Sequence, residues 1–412
     1  MLLRPPEDTL RDLDKIIIVC IFILVAAGLM AIYSATTALY TPEILKGNFA
    51  KQVLWFTIGV MIASAVVITP MKFFHKYAYW FYGIGLTLLV LVLFVGSGKG
   101  SHRWFVLGPL RLQPSEIAKI ATILALARFA ASEGVDLRRL KDVAIIFAIV
   151  LAPALLIIKE PDLGTAIVFL SLAIPMLFWA GLSPFIIFIL LTPMITLVAA
   201  FNEVTFFIAM VLVIGTLVWL RARMWIIFAV FLVNIAVGVI TPKVWEGMHD
   251  YQRDRIRTFV GFEEDLKGSG YQVNQAKVAI GSGGFWGKGW LHGTQTKLRF
   301  LPEQHTDFIF TVVGEEFGFF GVSLVMTVFL TLLLRALLIA GSVKSKFTAL
   351  AVVGCVTAIS VHVIVNIGMC VGVMPVTGIP LPFLSYGGSA LWTNMVIVGL
   401  ILNAGVRKFQ YL

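Results

Sequence analysis

Long apolar stretches separated by short polar ones recur along the whole chain. Twelve can cross a bilayer as helices, given a requirement of about 20 residues with tolerance for shorter runs. They are Ile16–Tyr33, Val53–Ile68, Tyr77–Val95, Ile117–Ala131, Val143–Ile158, Thr165–Ala180, Pro184–Phe201, Phe206–Leu220, Met224–Ile240, Phe319–Ala340, Phe347–Val371 and Ser389–Ala404. The pattern predicts an all-α polytopic membrane protein, a single integral membrane domain over residues 1–412 built as a bundle of about twelve transmembrane helices. Two stretches fit less well: Ile117–Ala131 carries Lys119 and Arg128, and Phe206–Leu220 is short.

Lys and Arg in short loops set the orientation of such a bundle. If the N-terminus, with Arg4, Arg11 and Lys15, is cytoplasmic, five further basic segments fall on the same side. These loops hold Lys72 and Lys76, Arg138, Arg139 and Lys141, Arg221 and Arg223, Lys344 and Lys346, and Arg407 and Lys408. Both termini are therefore expected in the cytoplasm. The segment 241–306 becomes a large extracytoplasmic loop, and loops of that length translocate whatever their charge. Ser97–Ser115 is also external but short, and it carries Lys99, Arg103 and Arg111. Lipid headgroups or an anionic ligand outside the membrane would account for them.

Composition agrees with the pattern. Hydrophobic residues make up 59% of the chain, charged residues 13%, and the mean hydropathy is +0.96, where soluble domains are about half apolar and a quarter charged. The net charge of +10 belongs to cytoplasmic loops facing anionic lipid rather than to nucleic-acid binding. Cys20, Cys355 and Cys370 lie in apolar runs, spaced neither as a disulfide framework nor as a metal site. The polar, mixed-charge start MLLRPPEDTLRDLDK precedes a run long enough to span, which argues against a cleaved signal.

Several polar positions stand out against this background. In QPSEIAK, Glu116 and Lys119 lie three apart at a helix start, either as an ion pair holding the bundle or as a lysine reaching a phosphate with Glu116 fixing it. Asp162, in KEPDLGT, is placed to cap the helix that follows, with Glu160 just before it. The segment YQVNQAKVAIGSGG puts Val273, Ala276 and Ile280 on one face of a short helix, and glycines 281, 283, 284, 287 and 289 form a turn suited to close backbone approach. GIPLPFLSYGGS, from Gly378, reads as a re-entrant lid or a rigid connector. Asp307, in LPEQHTDFIF, sits where polar loop meets apolar segment. An ionisable group there is costly and is a functional candidate by default, although capping of the next helix by Asp307 or Thr306 would also explain it. His305 and Asp307 do not have zinc spacing, whereas a hard cation held with substrate phosphates would suit a carboxylate.

Taken together, SHRWFVLGPLRLQPSEIAK, EPDLGTA, YQVNQAKVAIGSGGFWGKGWLHGTQ, FLPEQHTDFIFTVVGEEFGFFG and GIPLPFLSYGGS resemble the SEDS family of bacterial cell-wall polymerases. Within it, GKGWLHGTQTKLRFLPEQHTDFIF is more similar to the elongation branch, RodA, than to the division branch, FtsW. The resemblance implies a glycosyltransferase of the bacterial inner membrane that polymerises lipid II into glycan strands during elongation. It implies an essential aspartate at Asp307 and polar cavity residues at Arg103, Glu116, Lys119 and Asp162. His305 and Ser385 complete the expected substrate contacts. The implied partners are a class B penicillin-binding protein acting as transpeptidase, lipid II with its growing lipid-linked glycan, and the elongation machinery, with no nucleic acid. A family core of ten spans makes 206–240 an inserted helix pair.

In this reading Asp307 takes the proton of the acceptor 4-hydroxyl. Positive charge from Arg103, Lys119 or a divalent cation, Mg²⁺ or Mn²⁺, stabilises the departing pyrophosphate, with inversion at the anomeric carbon and no organic cofactor. A lipid II flippase is the alternative. It calls for charged residues reaching both sides, whereas the polar outliers here gather in external loops. The orientation has a direct check. In intact cells, with the native cysteines removed, an impermeant thiol reagent should label cysteine placed at Ser101 or Gly293 and not at Arg139 or Lys346. Labelling at 139 with none at 293 would reverse the topology.

Overall fold

A computed structural model describes residues 13–37, 47–97, 103–108, 110–248, 253, 255, 269–298 and 300–410. Ser101, the rest of 98–102, and most of 249–268 in the long loop lie outside them. The chain divides into two compact units, residues 1–180 with 265–412, and residues 181–264.

The first unit holds α1 (Lys15–Thr36), α2 (Asn48–Ile68), α3 (Met71–Val95), a hairpin of β1 (Phe105–Leu107) and β2 (Leu110–Leu112), α4 (Pro114–Ala131), α5 (Leu140–Lys159) and α6 (Leu163–Trp179). The second holds α7 (Pro184–Ala199), α8 (Glu203–Trp219) and α9 (Met224–Gly247). The first unit then resumes with α10 (Ser269–Ser282), α11 (Thr294–Leu298), α12 (Ile309–Ser342), α13 (Lys346–Val371) and α14 (Gly388–Val406). Setting aside the short α10 and α11, twelve helices match the twelve apolar runs, and the protein is a multi-pass helical membrane bundle. Eight are long and apolar enough by themselves to span, and α6, α7 and α8 are shorter apolar helices.

In the first unit α13 is central. Buried residues make up 83% of its apolar stretch and 78% of that of α14, against 22% for α2 and α3. It packs on α4, α6, α12 and α14, while α14 packs on α2, α12 on α1, α3 on α4 and α5 on α6. Helix α4 starts with a proline at its first turn, where the missing N–H costs nothing. Its buried Ala118, Ala121, Ala125, Ala127 and Ala130 let neighbouring backbones come close, with Gly85 of α3 set against the Ala118 Cα. At the N-terminal end Asp14 caps α1 through the amides of Ile16 and Ile17 and also accepts from Arg335 of α12 at 2.7 Å.

The helix containing Glu315 and Glu316 begins ten residues before the apolar run Phe319–Ala340 expected from sequence. Gly318, at φ 63°, breaks α12 into two pieces, and a break inside an apolar bundle strands backbone groups that must find partners. The glycine-rich turn supplies them. The amides of Lys288 and Gly289 donate to the carbonyls of Glu315 and Glu316, and the amides of Phe319 and Phe320 donate to the carbonyls of Gly284 and Phe285. A Cβ on Gly287 would lie 2.1 Å from the Glu316 carbonyl oxygen, so the expected close backbone approach is what the glycines provide.

The two glutamates fix the long loop to this break. Glu315 accepts from Lys288 Nζ at 2.8 Å, from the amides of Gln295 and Thr296 at 2.8 and 3.0 Å, and from the hydroxyls of Thr294 and Thr296 at 3.1 and 2.8 Å. Glu316 accepts from Ser34 of α1. Helix α10 covers Tyr271–Ile280 as expected, buries Ala276 and Ala279, and packs on α12 and α13.

In the second unit α7, α8 and α9 pack on one another around Val213, Leu217 and Val230. Asn234 is fully buried. It accepts from Thr196 at 2.6 Å and donates to Thr192 at 3.1 Å and to its own helix at the Val230 carbonyl, so this polar staple is satisfied within the unit.

Candidate active site

The turn 303–308 enters the first piece of α12. The cap position of that helix is Phe308, with no side-chain capping bond, so Asp307 lies one residue outside the cap that would have given it a purely structural role. Thr306 is occupied elsewhere, its hydroxyl donating to the Glu303 carbonyl. The Asp307 amide donates to that same carbonyl at 3.1 Å. Its own carbonyl accepts from Asn366 Nδ2 at 2.8 Å, and Asn366 also donates to the Ile379 carbonyl at 2.7 Å. One fully buried amide of α13 therefore ties the aspartate's backbone to the 376–389 segment.

That segment is largely non-helical and buried within the first unit. Ile379, Leu381, Phe383, Leu384 and Ser385 are buried, and Leu384 packs against Gly28 of α1 so closely that a Cβ there would lie 2.6 Å from its Cα. Non-helical backbone is tolerated at such depth only if its polar groups are paired within the protein. Ser385 Oγ donates to the Thr306 carbonyl at 2.6 Å and accepts from the Leu381 amide at 2.8 Å. Gln52 of α2 donates to the Ser385 carbonyl and accepts from the Gly387 amide, both at 3.2 Å. The Tyr386 amide donates to the His305 carbonyl at 3.0 Å, and the two rings lie 5.6 Å apart. Ser385 through its hydroxyl, and His305 through its carbonyl and ring, join the segment to the Asp307 turn. Gly378, at φ 74°, leaves room for the carboxylate, and a Cβ there would sit 3.3 Å from Asp307 Oδ2.

Glu116 and Lys119 form the expected pair, 2.9 Å apart, both buried. Sequence reasoning missed their third member. His362 Nε2 lies 3.0 Å from Lys119 Nζ, and its Nδ1 lies 3.3 Å from the Pro380 carbonyl. The pair is thereby linked to the same segment that holds Asp307.

Arg103 and Asp162 also meet. Arg103 Nε donates to the Glu160 carbonyl at 2.9 Å, its terminal NH₂ group donates to the Pro161 carbonyl, and Nη1 stands 3.8 Å from Asp162 Oδ2. Asp162 performs its expected cap, accepting from the Thr165 amide at 3.1 Å, while its other oxygen faces Arg103 and Gln113. Behind the cap, a Cβ on Gly164 would lie 2.9 Å from the Thr377 carbonyl oxygen. Thr377 thus borders the Arg103–Asp162 group and Gly378 borders Asp307, so the fold gathers all three groups along one segment. Among the described residues, no three His, Cys, Asp or Glu side chains converge in a way that could hold a metal ion.

A family model described as a cell cycle protein, FtsW/RodA/SpoVE, matches residues 14–206 and 184–409. The chain belongs to this family. Within the FtsW/RodA/SpoVE family, peptidoglycan glycosyltransferase MrdB of Escherichia coli K12 is 36% identical over 409 residues, covering 98% of this chain and 97% of that protein. Peptidoglycan glycosyltransferase RodA of Treponema pallidum is 33% identical, covering 96% and 98%. A solved chain from work on the structural coordination of polymerization and crosslinking by a peptidoglycan synthase complex superposes with a TM-score of 0.73 at 28% identity, covering 97% of this chain and 99% of that one.

Sequence reasoning named Glu160 beside Asp162 and gave it no role of its own. It is 1% exposed, and neither carboxyl oxygen has a hydrogen-bond partner among the described residues. Burial pushes this carboxyl from the ordinary 4.5 up to about 8, the Asp162 charge adds to the push, and Arg103 opposes it. The native state therefore keeps a proton that the unfolded chain releases. The stability so contributed is fully present below the unfolded value and is lost as pH rises to the folded one, by up to about 1.4 kcal/mol per pH unit. Glu160→Gln keeps the neutral shape without titrating. In thermal melts of purified protein, wild type should lose stability relative to Glu160→Gln from about pH 5 to about pH 8 and run parallel to it above. Parallel curves throughout would mean that Glu160 is ionised in the native protein.

Proposed function

We infer that this protein is a peptidoglycan glycosyltransferase of the RodA type, polymerising lipid II into glycan strands during cell elongation. The observation that carries the reading is its end-to-end identity, 36% over 98% of the chain, with a protein bearing that activity in its name. The arrangement of polar groups in an apolar bundle supports it.

Both substrates of such a reaction are anchored to lipid, so a site beside the external loops meets them without extracting either. Asp307 is the base that takes the proton of the acceptor 4-hydroxyl. It is held from behind by its backbone, so its carboxylate keeps its aim as the acceptor arrives, and a positioned base contributes roughly 10²–10⁴-fold. Lys119 spends two of its three donors on Glu116 and His362, and the third is offered to a pyrophosphate oxygen. Arg103, braced on the 160–162 turn, supplies the second positive charge. Charge fixed in place before the reaction stabilises the departing pyrophosphate without reorganising during it. A Mg²⁺ or Mn²⁺ ion would be held here by substrate phosphates, with Asp307 as its protein carboxylate.

The same reading places the termini in the cytoplasm and the site outside, where a class B penicillin-binding protein would crosslink the emerging glycan. It takes the pair 206–240 as an insertion peripheral to the chemistry.

Asp307→Asn separates chemistry from structure, because it keeps the side chain's size and leaves the backbone clamp intact. The variant should insert, fold and bind its transpeptidase normally, while its polymerisation of lipid II falls by roughly 10²-fold or more. Asp307→Glu should also be poor. Glycan strands separated on gels at matched protein levels measure this, and near-normal strands from Asp307→Asn would remove Asp307 from the chemistry.

A further inference from the structure

His362 touches the Glu116–Lys119 pair on one side and the 376–389 segment on the other. It lies on α13 one turn before Asn366, so both project from the same face of the helix toward the 376–389 segment. Asn366 holds the Ile379 carbonyl and His362 approaches the next one, that of Pro380. Two consecutive carbonyls of the segment are thus matched to two side chains spaced four residues apart on a helix.

The partners determine the state of the ring. A lysine ammonium has only donors, so His362 Nε2, 3.0 Å from Lys119 Nζ, must accept. A carbonyl only accepts, so Nδ1, 3.3 Å from the Pro380 oxygen, must carry the hydrogen. Protonating Nε2 would remove the acceptor and set two cations side by side in a buried site, where screening is weak. The titratable groups facing the ring are Lys119 and Glu116, both from α4. Glu116 is engaged with Lys119 and with the Thr393 hydroxyl of α14, so its charge is directed at the ammonium rather than at the imidazole.

We propose that His362 is a positioning residue for the transfer: as a neutral Nδ1–H tautomer it aims the Lys119 ammonium and ties that charge to the 376–389 segment that carries Asp307. The inference rests on the glycosyltransferase reading above. The imidazole touches no substrate. It fixes the distance between the charge that receives the leaving group and the base that activates the acceptor. A lysine held by Glu116 alone could swing with its flexible stem, whereas one held from two sides presents its remaining donor in a single direction.

Two measurements test this. In the first, protein labelled with ¹⁵N-histidine is studied by NMR in the membrane, with the His362 signals identified by their loss in His362→Gln. The expected spectrum is that of the neutral Nδ1–H tautomer, unchanged from about pH 5.5 to about pH 8.5. An Nε2–H tautomer or an imidazolium in that range overturns the proposal.

In the second, purified variants polymerise labelled lipid II. His362→Phe keeps the ring and loses both hydrogen bonds. It should lower kcat by roughly 10²-fold, as loss of a preorganised electrostatic group does, with little change in KM. His362→Gln can accept from Lys119 through its amide oxygen and donate to Pro380 through its amide nitrogen, and should recover most of the rate. Equal losses in both variants would mean that the two hydrogen bonds are not what sets the rate, and a wild-type rate in His362→Phe would mean that the ring only packs; either overturns the role. If wild-type protein polymerises no lipid II, the glycosyltransferase reading fails, while the tautomer measurement still decides the His362 contact. Thermal melts of both variants show whether the fold is kept.

Discussion

A backbone that leaves the helix inside an apolar bundle must find a partner for every polar group it exposes, and the site of this protein is made of those partners. Among the described residues of the first unit, the helical pattern breaks at the turn before α12, at the kink at Gly318 and in the buried segment 376–389. An unpaired buried amide or carbonyl costs about 1–3 kcal/mol, so each break depends on a specific donor or acceptor. Asn366, Ser385, Gln52, His362 and the glycine-rich turn meet that need. Because they pair the breaks with one another as well as with the helices, the non-helical parts form one connected piece, with Asp307 on its edge.

Charge follows from the same constraint. Lys119 and Glu116 are buried and compensate each other, and removing either would leave the other uncompensated at a cost of roughly 3–5 kcal/mol. Glu315 is neutralised by Lys288 and surrounded by four further donors. Glu160 has no such company and keeps its proton instead. The first unit therefore holds Glu116 and Glu315, whose negative charge is met by donors, beside Glu160, whose carboxyl finds none among the described residues. Arg103 is braced on the 160–162 turn, and Lys119 is held between Glu116 and His362.

Much of this was legible in the residues. Apolar runs of the right length gave twelve helices, because lipid demands continuous hydrophobicity and leaves few other solutions. Asp162 carried its cap signal in the four residues DLGT, and Glu116 with Lys119 carried theirs in the spacing of three. The break at Gly318 was hidden because FGFFG reads as the start of an apolar run, and only the three-dimensional approach of Gly287 shows why the helix bends there. His362 and Asn366 were passed over inside an apolar helix of 26 residues, although two polar side chains four apart in such a helix are costly unless they serve something. Ser385 has a structural part that its loop does not reveal: the fold uses both its donor and its acceptor to close the loop on the Asp307 turn. Long-range partners of this kind leave no mark at either sequence position.

The central claim is that the transfer depends on Asp307 being held at its backbone by α13, and Asn366→Leu tests it most directly. The substitution is close in size, brings in no charge and removes both donors that join Asp307 to Ile379. The measurement is the single-turnover rate of glycan bond formation from lipid II, made on protein whose melting curve and transpeptidase binding are intact. A rate reduced at least about tenfold, as expected when a catalytic group is displaced by a fraction of an ångström, is the predicted result. A folded Asn366→Leu protein that forms the bond at the wild-type rate would contradict the account.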